Sequence, residues 1–184
     1  MASYVNLANI AEGSYIRIQE KTKVAEYLVL QHGYRTLGGV PQTLVTRRYV
    51  AETYRWADPP RDTYLDSGLQ KQISDYPSNF MPAIGSNNSI VSYIPWVPIQ
   101  DGAVSSIDQR VFALSKREVG LASSGSGTHI PYFNSDARRK AQDGANYKDQ
   151  VWWLRDPVWS SVVWRHAEQV NKSGKADAAW QAEA

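Results

Sequence analysis

The stretch Tyr147–Trp164, Y-K-D-Q-V-W-W-L-R-D-P-V-W-S-S-V-V-W, holds four of the chain's seven tryptophans: Trp152, Trp153, Trp159 and Trp164. Side chains alternate across a strand, so adjacent Trp152 and Trp153 point to opposite faces. With Val151 and Leu154 beside them, one indole can enter a core while the other stands outside. Arg155 and Asp156 bring charge, and Pro157, with no N–H to donate, stops regular pairing. An indole buries a large apolar area yet needs a partner for its N–H. Two readings follow. In the first, Trp152, Trp153 and Leu154 form the structural core on which earlier segments pack. In the second, the outward tryptophan joins Trp159 and Trp164 in a recognition surface. Core packing is the default for an aromatic cluster.

The rest of the chain sets bounds on function. Its 184 residues suit one domain large enough to bury a core, with 42% apolar and 21% charged residues. A net charge of +2 gives no basic surface for nucleic acid or anionic membrane. Cysteine is absent, which excludes disulfides, thiol catalysis, iron–sulfur clusters and cysteine-ligated zinc. No apolar run reaches the length of a membrane span, and the first residues lack the basic region and apolar stretch of a secretory signal. Eleven tyrosines and seven tryptophans stand against three phenylalanines. Aromatics with polar ends suit places packed on one side and wet on the other, such as binding or assembly surfaces.

Along the chain, residues 14–31 predict a hairpin: Ile16 and Ile18 alternate with Tyr15 and Arg17, Glu20–Lys23 turns, and Ala25–Leu30 returns. Residues 34–43 read as a loop and Leu44–Val50 as a third strand. Asp66 and Ser67 can cap a helix whose Leu65, Leu69, Ile73 and Tyr76 share a stripe, with Pro77 ending it. Residues 85–102, broken by Pro95 and Pro98, predict an edge or extended passage. Val111–Leu114 predicts a short strand running into Ser115-Lys116-Arg117-Glu118, an S-x-x-E capping box that opens a helical turn. Ser123–Thr128 reads as a flexible loop and residues 135–142 as a short helix. Residues 167–184, rich in Ala, Lys, Glu and Gln, predict a peripheral tail, disordered or ordered only against a partner.

No motif supports catalysis. His32, His129 and His166 lie far apart without ligand spacing, so no metal site is expected. The loop Ser123–Thr128 lacks the Gly-Lys-Ser/Thr end of a phosphate loop, and Gly125-Ser126-Gly127 lacks the strand-to-helix context of a nucleophile elbow. Asp66, Asp75, Asp101, Asp108 and Asp136 are scattered, and nothing marks two of them as an acid–base pair. Neither an enzyme nor a bound cofactor is expected.

Several ordered segments do resemble one family. They are Gly13–Ile18 (GSYIRI) with Tyr27–Gly33 (YLVLQHG), Tyr64–Leu69 (YLDSGL), Val111–Ser115 (VFALS) with Glu118–Gly120, Ile130–Phe133 (IPYF), Arg138–Ala141 (RRKA) and Trp152–Pro157 (WWLRDP). Together they resemble the DUF6273 domains of phage virion proteins and bacterial surface proteins, a C-type-lectin-like family. The resemblance implies an α+β domain over residues 1–166, with short helices around a small irregular antiparallel sheet and long loops. The closing Arg-Pro strand of the family has no match after Trp164, which implies a sheet edge that a partner could cover.

The resemblance also implies a setting. The expected function is a phage virion structural protein, a tail, collar or capsid-decoration component assembled in the bacterial cytoplasm. It would be multi-copy or homo-oligomeric and seated against other virion proteins. The alternative is a host-attachment module binding surface glycan. Sugar sites stack aromatic faces among polar groups. Asn146, Tyr147, Arg155, Trp159 and Trp164 are the candidates for that role.

Overall fold

Alternation of apolar and polar side chains draws eleven segments of the described chain into strands. The structure is a computed structural model describing residues 6–20, 22–37, 39–50, 64, 67–80, 92–96, 105–109, 111–125, 127–158 and 166–180. In chain order its elements are β1 (Tyr15–Gln19), β2 (Val24–Leu37), β3 (Val40–Arg47), β4 (Tyr49–Val50), α1 (Gly68–Phe80), β5 (Ser92–Trp96) and β6 (Ser105–Gln109). They continue with α2 (Asp136–Arg139), β7 (Ala141–Asp143), β8 (Asp149–Gln150), β9 (Trp152–Val158), β10 (His166–Val170) and β11 (Ala176–Trp180). Three sheets have three strands each, ordered β1-β2-β3, β4-β7-β8 and β9-β10-β11, and β5 pairs with β6 alone.

This architecture corrects the expected α+β, C-type-lectin-like fold with short helices around one irregular sheet. The fold is β-rich: among the described residues only α1 and the four-residue α2 are α-helical, against eleven strands. The difference arises in two segments. Of residues 34–43, expected to be a loop, 34–37 belong to β2 and 40–43 to β3, which pair from Tyr27↔Arg47 to Leu37↔Val40. Register shifts between Val29 and Gln31 and between Gln31 and Arg35 let so long a strand stay paired. Gly33, at φ +62°, sits in the second shift, where an irregularity re-aims the chain. The second segment is the supposed peripheral tail. Its residues form most of β10 and all of β11, and Ala167 and Val170 are fully buried.

Local chemistry explains why these strands close. In the last hairpin, the Asn171 side chain accepts from the Ser173 and Lys175 N–H groups at 2.9 and 3.2 Å. Gly174, at φ +81°, takes the left-handed position of the turn. A Cβ on Gly174 would run into the carbonyl of Asp136, so the turn seats tightly on α2. Arg139 locks the contact, donating from Nε to the Gly174 carbonyl at 2.8 Å and from Nη1 to the Phe133 carbonyl at 2.8 Å. The segment holds as strand because β10 pairs with both β9 and β11 and buries Ala167 and Val170.

Two of the three predicted helix starts are present with side-chain caps; the third, over residues 135–142, keeps only the four residues of α2, without a cap bond from Ser135, and Ala141–Asp143 continue as β7. Ser67 Oγ accepts the Gln70 N–H at 3.0 Å and caps α1, which runs past Pro77 to Phe80 instead of ending there. The capping box is complete: the Ser115 N–H donates to Glu118 Oε2 at 2.8 Å and the Glu118 N–H to Ser115 Oγ at 3.1 Å. It opens a single helical turn that stops at once. The Leu121 N–H reaches back to the Lys116 carbonyl at 2.9 Å and the Gly120 N–H to the Arg117 carbonyl at 3.0 Å. With Gly120 at φ +72°, these bonds are the two of a Schellman ending.

Trp152 and Trp153 take opposite faces of β9, and both faces are packed. Leu154 is fully buried in the main core with Leu28, Leu30, Leu114, Val119, Ile130, Phe133 and Val170, and Trp152 packs against that cluster. The Trp152 indole N–H donates to the Arg139 carbonyl at 2.8 Å. Trp153 packs on a second cluster of Tyr64, Leu69, Ala113 and Ala167. Leu154 is thus a core residue, and Trp152 and Trp153 are half-buried against two different core clusters. Trp159 and Trp164 lie outside the described residues.

Candidate recognition surface

Arg155 follows the tryptophans on β9 and leaves the surface entirely, with 1% of its side chain accessible. Its two terminal nitrogens grip Glu118, Nη1 to Oε2 at 2.7 Å and Nη2 to Oε1 at 2.9 Å, while Nη1 also donates to the Ala113 carbonyl at 2.8 Å. The Tyr34 hydroxyl donates to Glu118 Oε1 as well. Burial works against the guanidinium's charge, but Glu118 outweighs it and the pKa of Arg155 is raised. The two bonds between Arg155 and Glu118 join β9 to the capped turn at 115–120. Arg155 is thus a structural pin and not a ligand-binding group.

A second pin closes the first sheet. Glu20 is 2% exposed and accepts from the Tyr27 hydroxyl at 2.7 Å and the Tyr76 hydroxyl at 2.9 Å. Arg47 Nη2 donates to its other oxygen at 3.1 Å, whereas Arg47 Nε lies 3.0 Å from Oε1 without hydrogen-bonding geometry. Burial raises the pKa of Tyr27 first, and its bonds to Tyr76 and Glu20 add to the effect. His32, one of the three candidate histidines, is also structural: its ring nitrogens pair with Thr43 Oγ1 at 2.8 Å and the Ile10 carbonyl at 2.7 Å.

The exposed side of the molecule is built differently. Arg48 lies between β3 and β4, its guanidinium 4.6 Å from the ring centre of Tyr15 and 5.0 Å from that of Tyr49. Tyr49 meets Tyr147 edge-on, with ring centres 5.8 Å apart. On the other flank Tyr15 is close enough to act on the charge of the Tyr132 hydroxyl, and Arg138 lies 5.1 Å over the Tyr132 ring. Burial and then the neighbouring Tyr15 raise the pKa of Tyr132. Four tyrosines and two arginines therefore run continuously from Tyr147 through Tyr49, Arg48, Tyr15 and Tyr132 to Arg138. Tyr147 is 62% exposed and Tyr15 49% exposed, so the rings are presented to solvent.

The turn that carries Tyr147 is set by Asp143. Its carboxylate accepts from the backbone N–H groups of Asn146 and Ala145, and the bond from Asn146 is the main reason its pKa is lowered. The Tyr147 N–H donates to the Asp143 carbonyl at 3.1 Å, and Tyr147 has φ +55°, the one left-handed non-glycine residue among those described. A residue with a Cβ is uncommon in that conformation. The two flanking strands β7 and β8 are short, so the turn stands out from the sheet with Asn146 and Tyr147 exposed.

Of the five sequence candidates, then, Asn146 and Tyr147 lie together on this surface, Arg155 is buried elsewhere, and Trp159 and Trp164 fall outside the described residues. Tyr15, Arg48, Tyr49, Tyr132 and Arg138 were not singled out by the sequence. The abundance of tyrosine over phenylalanine was their only trace. Their convergence comes from four separate segments, which no local pattern reveals.

A β-rich domain pinned by buried carboxylate–arginine pairs and faced with tyrosine and arginine is the class defined by fold and surface. The chain belongs to the DUF6273 family, a domain of unknown function whose model matches residues 41–183. That match runs through β10 and β11, joining the supposed tail to the domain. No curated protein and no solved structure matches the chain.

Proposed function

We propose that this protein is a structural component of a larger assembly, a virion protein of the tail, collar or decoration kind, which contacts other proteins through the Tyr147–Arg138 surface. The observation that carries the protein-contact reading is the surface itself. Tyrosine and arginine are the residues that interfaces concentrate, because they offer large, stiff contact area and several donors at low entropic cost. Of the two arginines over rings, Arg48 already gives one N–H to Glu26, whereas Arg138 makes no ion pair among the described residues and can turn its N–H edge to a partner. The virion setting rests on the ordered family resemblance across residues 12–160.

The test is composition and shape. Mass spectrometry of purified particles should find the chain at stoichiometric abundance, and light scattering of the isolated chain should show a multimer or a stable complex with a particle protein. A chain absent from particles and monomeric beside every particle protein would sink the proposal. A second reading, binding of host-surface glycan, is favoured by the exposed Asn146–Tyr147 pair, where an amide adjoins an aromatic ring. Glycan-array binding that disappears in Tyr147→Ala would support it.

A further inference from the structure

Neither burial nor backbone preference accounts for the tyrosine at 147. Its ring is mostly exposed, and its backbone holds a left-handed conformation that glycine or asparagine would occupy more cheaply. Among the described residues its one ring contact, with Tyr49, is edge-on, and most of Tyr147 stays open to solvent. At the other end of the surface, Arg138 is exposed and, among the described residues, makes no ion pair. In between, Arg17 and Arg48 share a single carboxylate, Glu26, at 3.7 and 2.7 Å. Cationic donors thus outnumber acceptors at the rings, although the whole chain is almost neutral.

We infer that the occupant of this surface is an acidic segment of another protein, which lays an apolar side chain on Tyr147 and sets carboxylates against Arg48 and Arg138. The inference rests on the protein-contact reading above and adds the chemistry of the partner. A carboxylate matches the in-plane N–H edge of a guanidinium whose face is stacked on a ring. Charge complementarity of this kind speeds encounter and weakens with salt.

The test uses the full chain and two fifteen-residue peptides of one leucine- and tyrosine-containing sequence, differing only in carrying glutamate or glutamine at alternate positions. Titration at low salt should show the glutamate peptide binding at least about tenfold more tightly, with the advantage lost at high salt. Arg138→Gln should remove most of that advantage. Tyr147→Gly should abolish binding while leaving the thermal midpoint unchanged or higher, since it relieves the backbone; a lower midpoint would make the ring structural and overturn the anchor role. Equal binding of both peptides, lost in Tyr147→Gly, would keep the protein contact and overturn the acidic partner. Binding of neither peptide overturns the inference. If an oligogalacturonate binds in their place, the protein-contact reading falls with it.

Discussion

The pin at Glu118–Arg155 and the surface around Arg48 are made of the same three residue types, and they do opposite work. In the pin, Arg155 and Glu118 are almost wholly withdrawn from water, and both guanidinium ends and both carboxylate oxygens have partners within the protein. On the surface, arginine lies over tyrosine rings, one carboxylate serves two guanidiniums, and polar edges face outward. Removing water makes an ion pair unforgiving, because a lost partner leaves an uncompensated charge. Leaving water in place makes the same groups nearly neutral for folding and free for binding.

That contrast breaks most sharply at the pin. Glu118→Gln should cost about 3–5 kcal/mol in chemical denaturation, since Arg155 would stay buried without a counter-charge. Arg155→Met combined with Glu118→Leu should cost distinctly less than the two single changes summed. Additive losses would show that the pair is not coupled.

Gly174→Ala tests the clamp between the last hairpin and α2. Left-handed backbone and a Cβ driven into the Asp136 carbonyl should together destabilise by more than about 1 kcal/mol. An unchanged unfolding midpoint would mean that the hairpin turn does not seat on α2 as described.

Smaller and opposite in sign is Asp156→Asn. Asp156 lies behind the pin, accepting the Lys116 N–H at 2.6 Å, and burial raises its pKa despite Arg155 beside it. A carboxyl with a folded pKa above its unfolded value favours folding below the unfolded pKa. That contribution is lost as pH rises through the folded one. Asparagine keeps the acceptor without the charge, so the variant should be more stable than the parent at neutral pH. Its advantage should vanish in acid, below the usual carboxylate range. Denaturation midpoints across pH that run parallel for the two proteins would contradict this.

The least effect on stability belongs to the surface. Arg48→Gln removes an exposed pair with Glu26 and should change stability by no more than about 1 kcal/mol, while partner binding falls. A large loss of stability in this variant would erase the distinction between the two regions.

What was legible in the sequence was local. Ser67 and the Ser115–Glu118 box announced their helical turns because a cap and its N–H lie within three residues. The first hairpin followed from alternation at Ile16 and Ile18, and the opposed packing of Trp152 and Trp153 from the pleat. The β2–β3 pairing left only Gly38-Gly39 as a turn signal, and the last hairpin only Asn171 and Gly174. Both were masked by polar or Ala-rich flanks, which drew residues 34–43 and 167–184 into loop and tail.

By itself, then, the sequence determined the first hairpin, the caps at Ser67 and at Ser115–Glu118, and the opposed faces of Trp152 and Trp153. Tertiary structure alone decided that Arg155 is buried, that Ala167 and Val170 reach the core, and that four distant tyrosines share one face. The reason is reach: caps and pleats act over two to four residues, whereas ion-pair burial and ring contacts depend on segments brought together from across the chain.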